Sequence, residues 1–315
     1  MNRRRSREEW TEMISTDTPA NVTQEAAAPH ERSWLAVRDP RAAALAWLAV
    51  YLGVTAAFLG AAGHGALAIL HLGVITVAAW TVRARGTAAR AIGDLLPLVA
   101  APLLYAEIPS LIQTIGGGYH DALIQRWEAF VFGGEPAHTF AARFPFVGLS
   151  EVLHLGYLAY YPAIFAPAIL LFARNERRAL AETVAAVSLT CLVCWILFAL
   201  WPVEGPRYLW SVAGVPEGPA RRLVVALLER GSSRGAAFPS SHMAVSVAQV
   251  VLAIRWQPRL APLLAAIALL VGLGAVYGGF HYGVDMLAGT ALGAALGTAV
   301  VWWFGTPLQE TRSPR

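Results

Sequence analysis

The segment SLTCLVCWILFALW, residues 188–201, contains no charged side chain and lies within an apolar run that covers about 179–201. A run of roughly 20 apolar residues is long enough to cross the hydrocarbon core of a bilayer as an α-helix. Of the 315 residues of the chain, 57% are hydrophobic and 14% are charged, whereas a soluble domain averages about 25% charged residues. The segment therefore predicts a membrane-spanning helix and not the core of a soluble protein.

Further apolar runs of comparable length occur on both sides of this segment, at residues 42–62, 65–82, 91–115, 151–173, 240–256, 259–279 and 282–304. The run at 91–115 is the least regular, because three prolines must bend it and two acidic residues lie within it. The sequence thus predicts an all-α fold, a polytopic transmembrane helical bundle of about eight spans.

The distribution of positive charge predicts the topology. The chain has no lysine, and 17 of its 24 arginines fall on the side of the amino terminus when successive runs alternate in direction. Cytoplasmic loops carry the excess of basic residues in membrane proteins, so we expect a multi-pass protein of the cell membrane with both termini in the cytoplasm. The net charge of +4 lies mostly in these short loops, which indicates topology and not binding of nucleic acid.

The long connection at residues 116–150 contains an amphipathic pattern. Its apolar residues recur at helical spacing and charged residues lie on the opposite face, as Leu123, Trp127, Phe130 and Val131 against Asp121, Arg126 and Glu128. This pattern is typical of a helix that lies in the headgroup plane of a membrane.

Cys191 and Cys194 form a CxxC pair in the middle of an apolar run. This spacing also occurs in redox and metal sites, but no other ligand lies near it in the run, so we interpret both residues as small packing residues. We expect no cofactor and no metal.

Two histidines begin apolar runs on the same predicted side. GAAFPSSHMAVSVAQVV, residues 235–251, brings His242 to the start of one run, and FHYGVD, residues 280–285, brings His281 to the start of another. The two histidines are 39 positions apart and enclose two short runs, so both are expected on the extracytoplasmic face. Because helix N-termini bind anions through free N–H groups, this arrangement predicts a phosphate site. Taken alone, His242 and Ser240 would also suit a simple helix cap.

Two more residues fit such a site. Asp285 is four positions after His281 and therefore on the same helix face, where its carboxylate can hold one ring nitrogen as N–H and leave the other lone pair free. Arg207, in WPVEGPRYLW, follows the run at 179–201 on the same side. Its planar guanidinium suits phosphoryl oxygens.

Three stretches together resemble the type 2 phosphatidic acid phosphatase superfamily. FPSSHMA, residues 238–244, is similar to its PSGH-type motif, and VYGGFHYGVDMLAG, residues 276–289, is similar to its HxxxD motif. GPRY, residues 205–208, resembles its arginine-containing first motif. The resemblance implies a six-helix phosphatidic acid phosphatase-like core, and it covers roughly residues 200–290.

The chain also departs from the superfamily pattern. Leu200 stands where a lysine is usual, Gly274 and Ala275 stand where Ser-Arg is usual, and Ser241 replaces a glycine. These departures, together with HDALIQRWEAFVFGGEP at 120–136, make the chain more similar to the inositol phosphorylceramide synthase-like (inositolphosphotransferase) branch. Four nearby arginines are candidates to supply substitute charge: Arg221, Arg222, Arg230 and Arg234.

The resemblance implies a two-step mechanism on a membrane lipid phosphate or phosphodiester. His281, oriented by Asp285, attacks phosphorus to form a phosphohistidine, and His242 protonates the leaving alcohol. His242 then deprotonates the acceptor, which is water or an alcohol such as inositol. The phosphate oxygens are expected on Arg207, Ser240 and Ser241.

Five further residues are candidate substrate contacts, namely Tyr208, His154, Tyr157, Tyr161 and Glu107. An interfacial aromatic belt explains the tyrosines equally well, and Glu107 alternatively reaches the membrane surface. The rival function is a non-catalytic protein that binds or transports lipid phosphates with a degenerate site.

The predicted organisation has five segments. They are a disordered basic cytoplasmic tail at 1–40, N-terminal transmembrane helices at 41–115, an extracytoplasmic amphipathic segment at 116–150, a catalytic transmembrane core at 151–305 and a cytoplasmic tail at 306–315.

Overall fold

A computed structural model describes residues 39–210 and 214–305. Within these ranges the secondary structure is α-helical, apart from an isolated parallel β-bridge between Val203 and Ala236. The predicted all-α fold is confirmed. The two predicted tails, except for Asp39 and Pro40, lie outside the described residues.

The helices follow one another along the chain as α1 (Pro40–Ala61), α2 (Gly65–Arg83), α3 (Thr87–Ala106), α4 (Ile108–Ile115), α5 (Asp121–Phe132), α6 (Pro136–Arg143), α7 (Val147–Leu158), α8 (Tyr160–Ala173), α9 (Arg177–Leu200), α10 (Pro206–Leu209), α11 (Pro219–Gly231), α12 (Ser241–Trp256), α13 (Ala261–Tyr277) and α14 (Gly283–Phe304).

Six of these helical segments are long and apolar enough to cross a membrane, namely α1, α2, α3, the α7–α8 pair, α9 and α14. The remaining two predicted runs form α12 and α13, which have 16 and 17 residues. By the length and composition of its helices, the chain is a multi-pass membrane protein.

The predicted bend in the run at 91–115 is a break between α3 and α4 at Glu107. Pro109 has no N–H group, so it cannot donate to the carbonyl of Tyr105 four residues earlier. The Ser233 hydroxyl donates to this carbonyl instead, at 2.8 Å. The break therefore fastens the N-terminal helices to the loop that leads into α12.

Helix α9 lies at the centre of the bundle and packs against α1, α3, α4, α8, α12 and α14. Its cysteines, Cys191 and Cys194, are free and buried within the main apolar core. This environment agrees with their interpretation as packing residues.

The contact between α12 and α14 is unusually close, because three glycines of α14 face it at intervals of one helical turn. A Cβ atom placed on Gly293 would lie 2.1 Å from the carbonyl oxygen of Ala244, and one on Gly289 would lie 2.5 Å from that of Ser240. Gly297 approaches Ala248 in the same register. Small residues at such spacing let helix backbones approach closely in membranes. The contacts advance along both helices in the same direction, so α12 and α14 are parallel and their N-termini lie at the same end.

Replacing Gly293 with alanine tests this packing. The added methyl group must displace α12, and overpacking of this kind costs about 1–3 kcal/mol, so we expect a lower Tm for the detergent-solubilised protein. Gly73→Ala is the matched control, since a Cβ on Gly73 meets no atom within 4 Å. Equal Tm values for the two variants would contradict the close approach.

Candidate functional site

The two predicted histidines meet where α12 and α14 begin. The backbone N–H of Ser240 donates to the carbonyl of Asp285 at 3.0 Å, which joins the two helix starts. The ring centroids of His242 and His281 are 5.9 Å apart, with the ring planes at 68°. Two imidazoles at this separation can face a single tetrahedral anion.

The ring of His281 is held on one side only. Its Nδ1 atom lies 3.1 Å from the Asp285 carboxylate and 3.1 Å from the carbonyl of Ala237, so Nδ1 carries the proton. Its Nε2 atom makes no hydrogen bond among the described residues. Burial lowers the pKa of His281, the hydrogen bond to Ala237 opposes this shift and the charge of Arg207 adds to it, which brings the pKa to about 4. At neutral pH, His281 therefore presents an Nε2 lone pair.

His242 packs among aromatic rings at the first turn of α12. Its Nε2 atom is 3.3 Å from the Tyr157 hydroxyl, and the ring centroids of Tyr157 and Tyr160 lie 5.1 and 4.5 Å from its own. Its buried Nδ1 atom has no partner within the described ranges.

Arg207 enters the same cleft from the short helix α10. Gly205 precedes this helix as its N-cap and has a φ of 89°, a left-handed value that favours glycine. The Arg207 guanidinium carbon lies 4.9 Å from the ring centroid of Tyr208. Its Nη1 atom is buried and lacks a hydrogen-bond partner in the described part of the chain. A half-buried guanidinium with one buried nitrogen left unpartnered, beside two imidazoles, favours an anionic ligand.

These groups line one polar cleft. Tyr208, Glu204 and Tyr105 also line it, and the Tyr208 hydroxyl donates to Ser232 Oγ at 3.2 Å. Glu204 forms an ion pair with Arg234, so its negative charge is compensated.

Two carboxylates of α5, which the sequence analysis placed only on a polar helix face, hold the site from outside. Glu128 is fully buried and accepts the N–H groups of Gly283 and Val284 at 2.7 and 2.8 Å. Asp121 accepts the N–H groups of Glu204 and Gly205, both at 2.9 Å. Their seven-residue spacing, which puts both on one helix face, was the available signal.

The helix ends consequently differ in what they offer to an anion. Glu128 occupies the first N–H groups of α14, and the Asp285 carboxylate accepts the N–H of Tyr282 at 2.9 Å. Burial raises the pKa of Glu128, although its two backbone hydrogen bonds oppose the shift. At α12, the N–H groups of Ser241 and His242 have no acceptor among the described residues. Only α12 therefore presents free amides, whereas the sequence suggested that both helices would.

A family model described as the PAP2 superfamily matches residues 123–299. The chain belongs to the PAP2 superfamily. Searches of curated proteins and of solved structures found no match. The matched range contains the cleft residues from Tyr157 to His281 and α5 from residue 123 onward.

Leu200 and Ala275 stand at the two positions where the sequence analysis expected a lysine and an arginine, and neither side chain carries a charge. Leu200 is 63% exposed at the end of α9, and Ala275 is fully buried. Of the four candidate arginines, Arg234 pairs with Glu204 and Arg221 pairs with Glu217. The other two, Arg222 and Arg230, are exposed and do not line the cleft.

The other predicted residues occupy three environments. Ser240 is buried and its hydroxyl accepts the N–H of Met243 at 3.3 Å as a helix cap, whereas Tyr157 and Tyr208 line the PAP2 cleft. Ser241 and Tyr161 line an adjoining apolar cleft. The remaining two, His154 and Glu107, line neither cleft.

His154 and Glu107 have partners of their own. The Nδ1 atom of His154 is 2.6 Å from the carbonyl oxygen of Ser150. Glu107 contacts His71 in a separate cavity among the N-terminal helices.

Replacing Glu128 with glutamine tests the role of α5. The amide cannot accept two N–H groups as a carboxylate does, so the start of α14 loses about 1–2 kcal/mol of capping and His281 loses its fixed position. We expect a lower Tm. Glu229→Gln removes the same charge from an exposed site on α11 and should leave Tm unchanged; a similar loss in both variants would contradict the capping role.

The pKa of His281 predicts an acid sensitivity. The folded value of about 4 lies below the ordinary 6.5, so the unfolded chain binds more protons between these pH values and the folded state loses stability as pH falls through this window. The full effect is up to about 3 kcal/mol. Thermal unfolding from pH 7 to pH 4 should show a smaller loss for His281→Gln than for the wild type; an equal loss would refute this contribution.

Proposed function

We propose that this PAP2 protein is a lipid phosphatase or phosphotransferase that works through a phosphohistidine on His281. The observation that carries the proposal is the unpaired Arg207 guanidinium in a cleft that also contains two imidazoles 5.9 Å apart. The free Nε2 atom of His281 is the nucleophile, and Arg207 binds the phosphoryl oxygens. The free N–H groups of Ser241 and His242 add donors at the start of α12.

The chemistry takes two balanced steps. Substrate binding brings negative charge, which favours the imidazolium form of His242. As His281 Nε2 forms a bond to phosphorus, the bond from phosphorus to the leaving oxygen breaks and His242 gives that oxygen its proton. In the second step His242 removes a proton from the acceptor hydroxyl, which attacks phosphorus and releases His281.

An apolar cleft next to His242 supports a lipid substrate. It is lined by aromatic and aliphatic side chains that include Tyr160, Phe165 and Trp195. Tyr105 and His242 line both this cleft and the polar one. A phosphate near Arg207 can therefore extend an alkyl chain past His242 into the apolar cleft.

The charge balance favours transfer between alcohols over hydrolysis of a phosphomonoester. Arg207 is the one arginine that lines the cleft in the described part of the chain. A phosphodiester carries one negative charge, whereas a phosphomonoester carries up to two near neutral pH. A single cation suits a diester, and the resemblance of residues 120–136 to the inositolphosphotransferase branch agrees with an acceptor such as inositol.

The site faces the extracytoplasmic side in this proposal, and both termini lie in the cytoplasm. The positive-inside distribution of arginine supports this orientation.

Activity assays on purified protein test the proposal directly. Phosphatidic acid, a polyprenyl phosphate and an inositol phospholipid are offered as donors, each with and without free inositol. We expect turnover with at least one donor, its stimulation by inositol when the donor is a phosphodiester, and an acid-labile phosphoprotein. Turnover of monoesters alone, without stimulation by inositol, would reject the transferase assignment.

His281→Ala should reduce kcat by at least about 10³-fold and abolish the acid-labile phosphoprotein, because the nucleophile is lost. His138→Ala is the control, since His138 is exposed and lies outside the cleft. Retained phosphoprotein in His281→Ala would overturn the assignment of the nucleophile.

A second function, non-catalytic binding or transport of lipid phosphates, is favoured by the missing cations at Leu200 and Ala275. It predicts saturable binding of a lipid phosphate to the wild-type protein with no turnover of any donor.

A further inference from the structure

A second cavity lies among α1, α2 and α3, outside the range that the PAP2 model matches. It is partly open and has mostly leucine, valine and alanine side chains in its wall. Two ionisable side chains, His71 and Glu107, also line it. None of the residues that line this cavity lines the polar cleft that contains Arg207, His242 and His281.

The two ionisable side chains form a buried pair. His71 Nε2 lies 2.6 Å from Glu107 Oε2, and the two side chains are 2% and 5% exposed. On the other side of the ring, His71 Nδ1 lies 3.0 Å from the Thr55 hydroxyl. The position of the His71 ring is thus fixed by Thr55 on α1 and by Glu107 at the break between α3 and α4.

Glu107 keeps one oxygen that this pair does not use. Its Oε1 atom is buried and accepts no hydrogen bond from the described residues. A purely structural link between His71 and Glu107 accounts for the burial of Oε2. It does not account for the burial of Oε1, which has no partner among the described residues and lies beside a cavity. Unsatisfied buried acceptors are costly, and ionisable groups within membrane helices commonly mark functional sites.

We propose that this cavity binds a lipid alcohol, a molecule with a long alkyl chain and an uncharged hydroxyl group. Its O–H group donates to Glu107 Oε1, and its chain packs against the apolar wall. The carboxylate repels a lipid phosphate.

The depth of the pair agrees with this ligand. Thr55 is six residues before the end of α1, and His71 is six residues after the start of α2. At 1.5 Å per residue, both lie about 9 Å along their helices from the α1–α2 turn. A neutral hydroxyl can lie at this depth at a lower desolvation cost than a charged headgroup.

Photolabelling of the intact protein in lipid nanodiscs tests the assignment. Three probes have the same hexadecyl chain and the same diazirine near the polar end. They differ only in the polar group, which is a hydroxyl in the first, a methyl ether in the second and a phosphate in the third. We expect the alcohol to label peptides of α1, α2 or α3 at least about tenfold more than either other probe, as one hydrogen bond to a carboxylate implies. Equal labelling by alcohol and ether, or labelling elsewhere, would overturn the proposal.

Two variants sharpen the test. Glu107→Gln adds an N–H donor that the ether can accept, so the preference for the alcohol should fall severalfold while the cavity keeps its shape; an unchanged preference would refute the role of Glu107. His281→Gln should label as the wild type does, which separates this site from the catalytic one. If Glu107→Gln fails to fold, the three probes on the wild type still decide.

Discussion

The parallel contact between α12 and α14 is the constraint on which the site depends. Gly289 and Gly293 remove the side chains that would hold the two backbones apart. Since the helices run in the same direction at this distance, the residues that begin them are neighbours. Two histidines separated by 39 positions in the chain can then face one ligand, and the hydrogen bond from Ser240 to Asp285 fixes their relative position.

Around this contact, buried carboxylates accept the backbone N–H groups at two helix starts, and those N–H groups are no longer free to bind an anion. Glu128 takes the first N–H groups of α14, and Asp121 takes those at the start of the Arg207 segment. The free positive character of the cleft is thereby confined to Arg207 and the start of α12. In the proposed function, the ligand phosphate lies between them and is attacked by the free Nε2 atom of His281.

The sequence predicted the helical membrane fold from the length of its apolar runs and the superfamily from its motifs. It predicted the convergence of His242, His281 and Arg207 because all three follow or precede runs on the same predicted side. It did not predict the partners of Glu128 or Glu107. An amphipathic pattern shows which residues share a helix face, but it does not tell whether a buried carboxylate or an exposed one occupies that face. His71 is 36 positions from Glu107, and nothing in the local pattern of either residue indicates their contact.

Pro109 leaves the carbonyl of Tyr105 without a helical partner, and the Ser233 hydroxyl donates to it instead. This bond links α3 to the PAP2 portion of the chain. A fragment trimmed to residues 123–299 would lack α3 and the tyrosine that lines both clefts. The loop before the PSSH residues would then lose its anchor. The helices that precede the PAP2 match therefore supply part of the wall of both clefts.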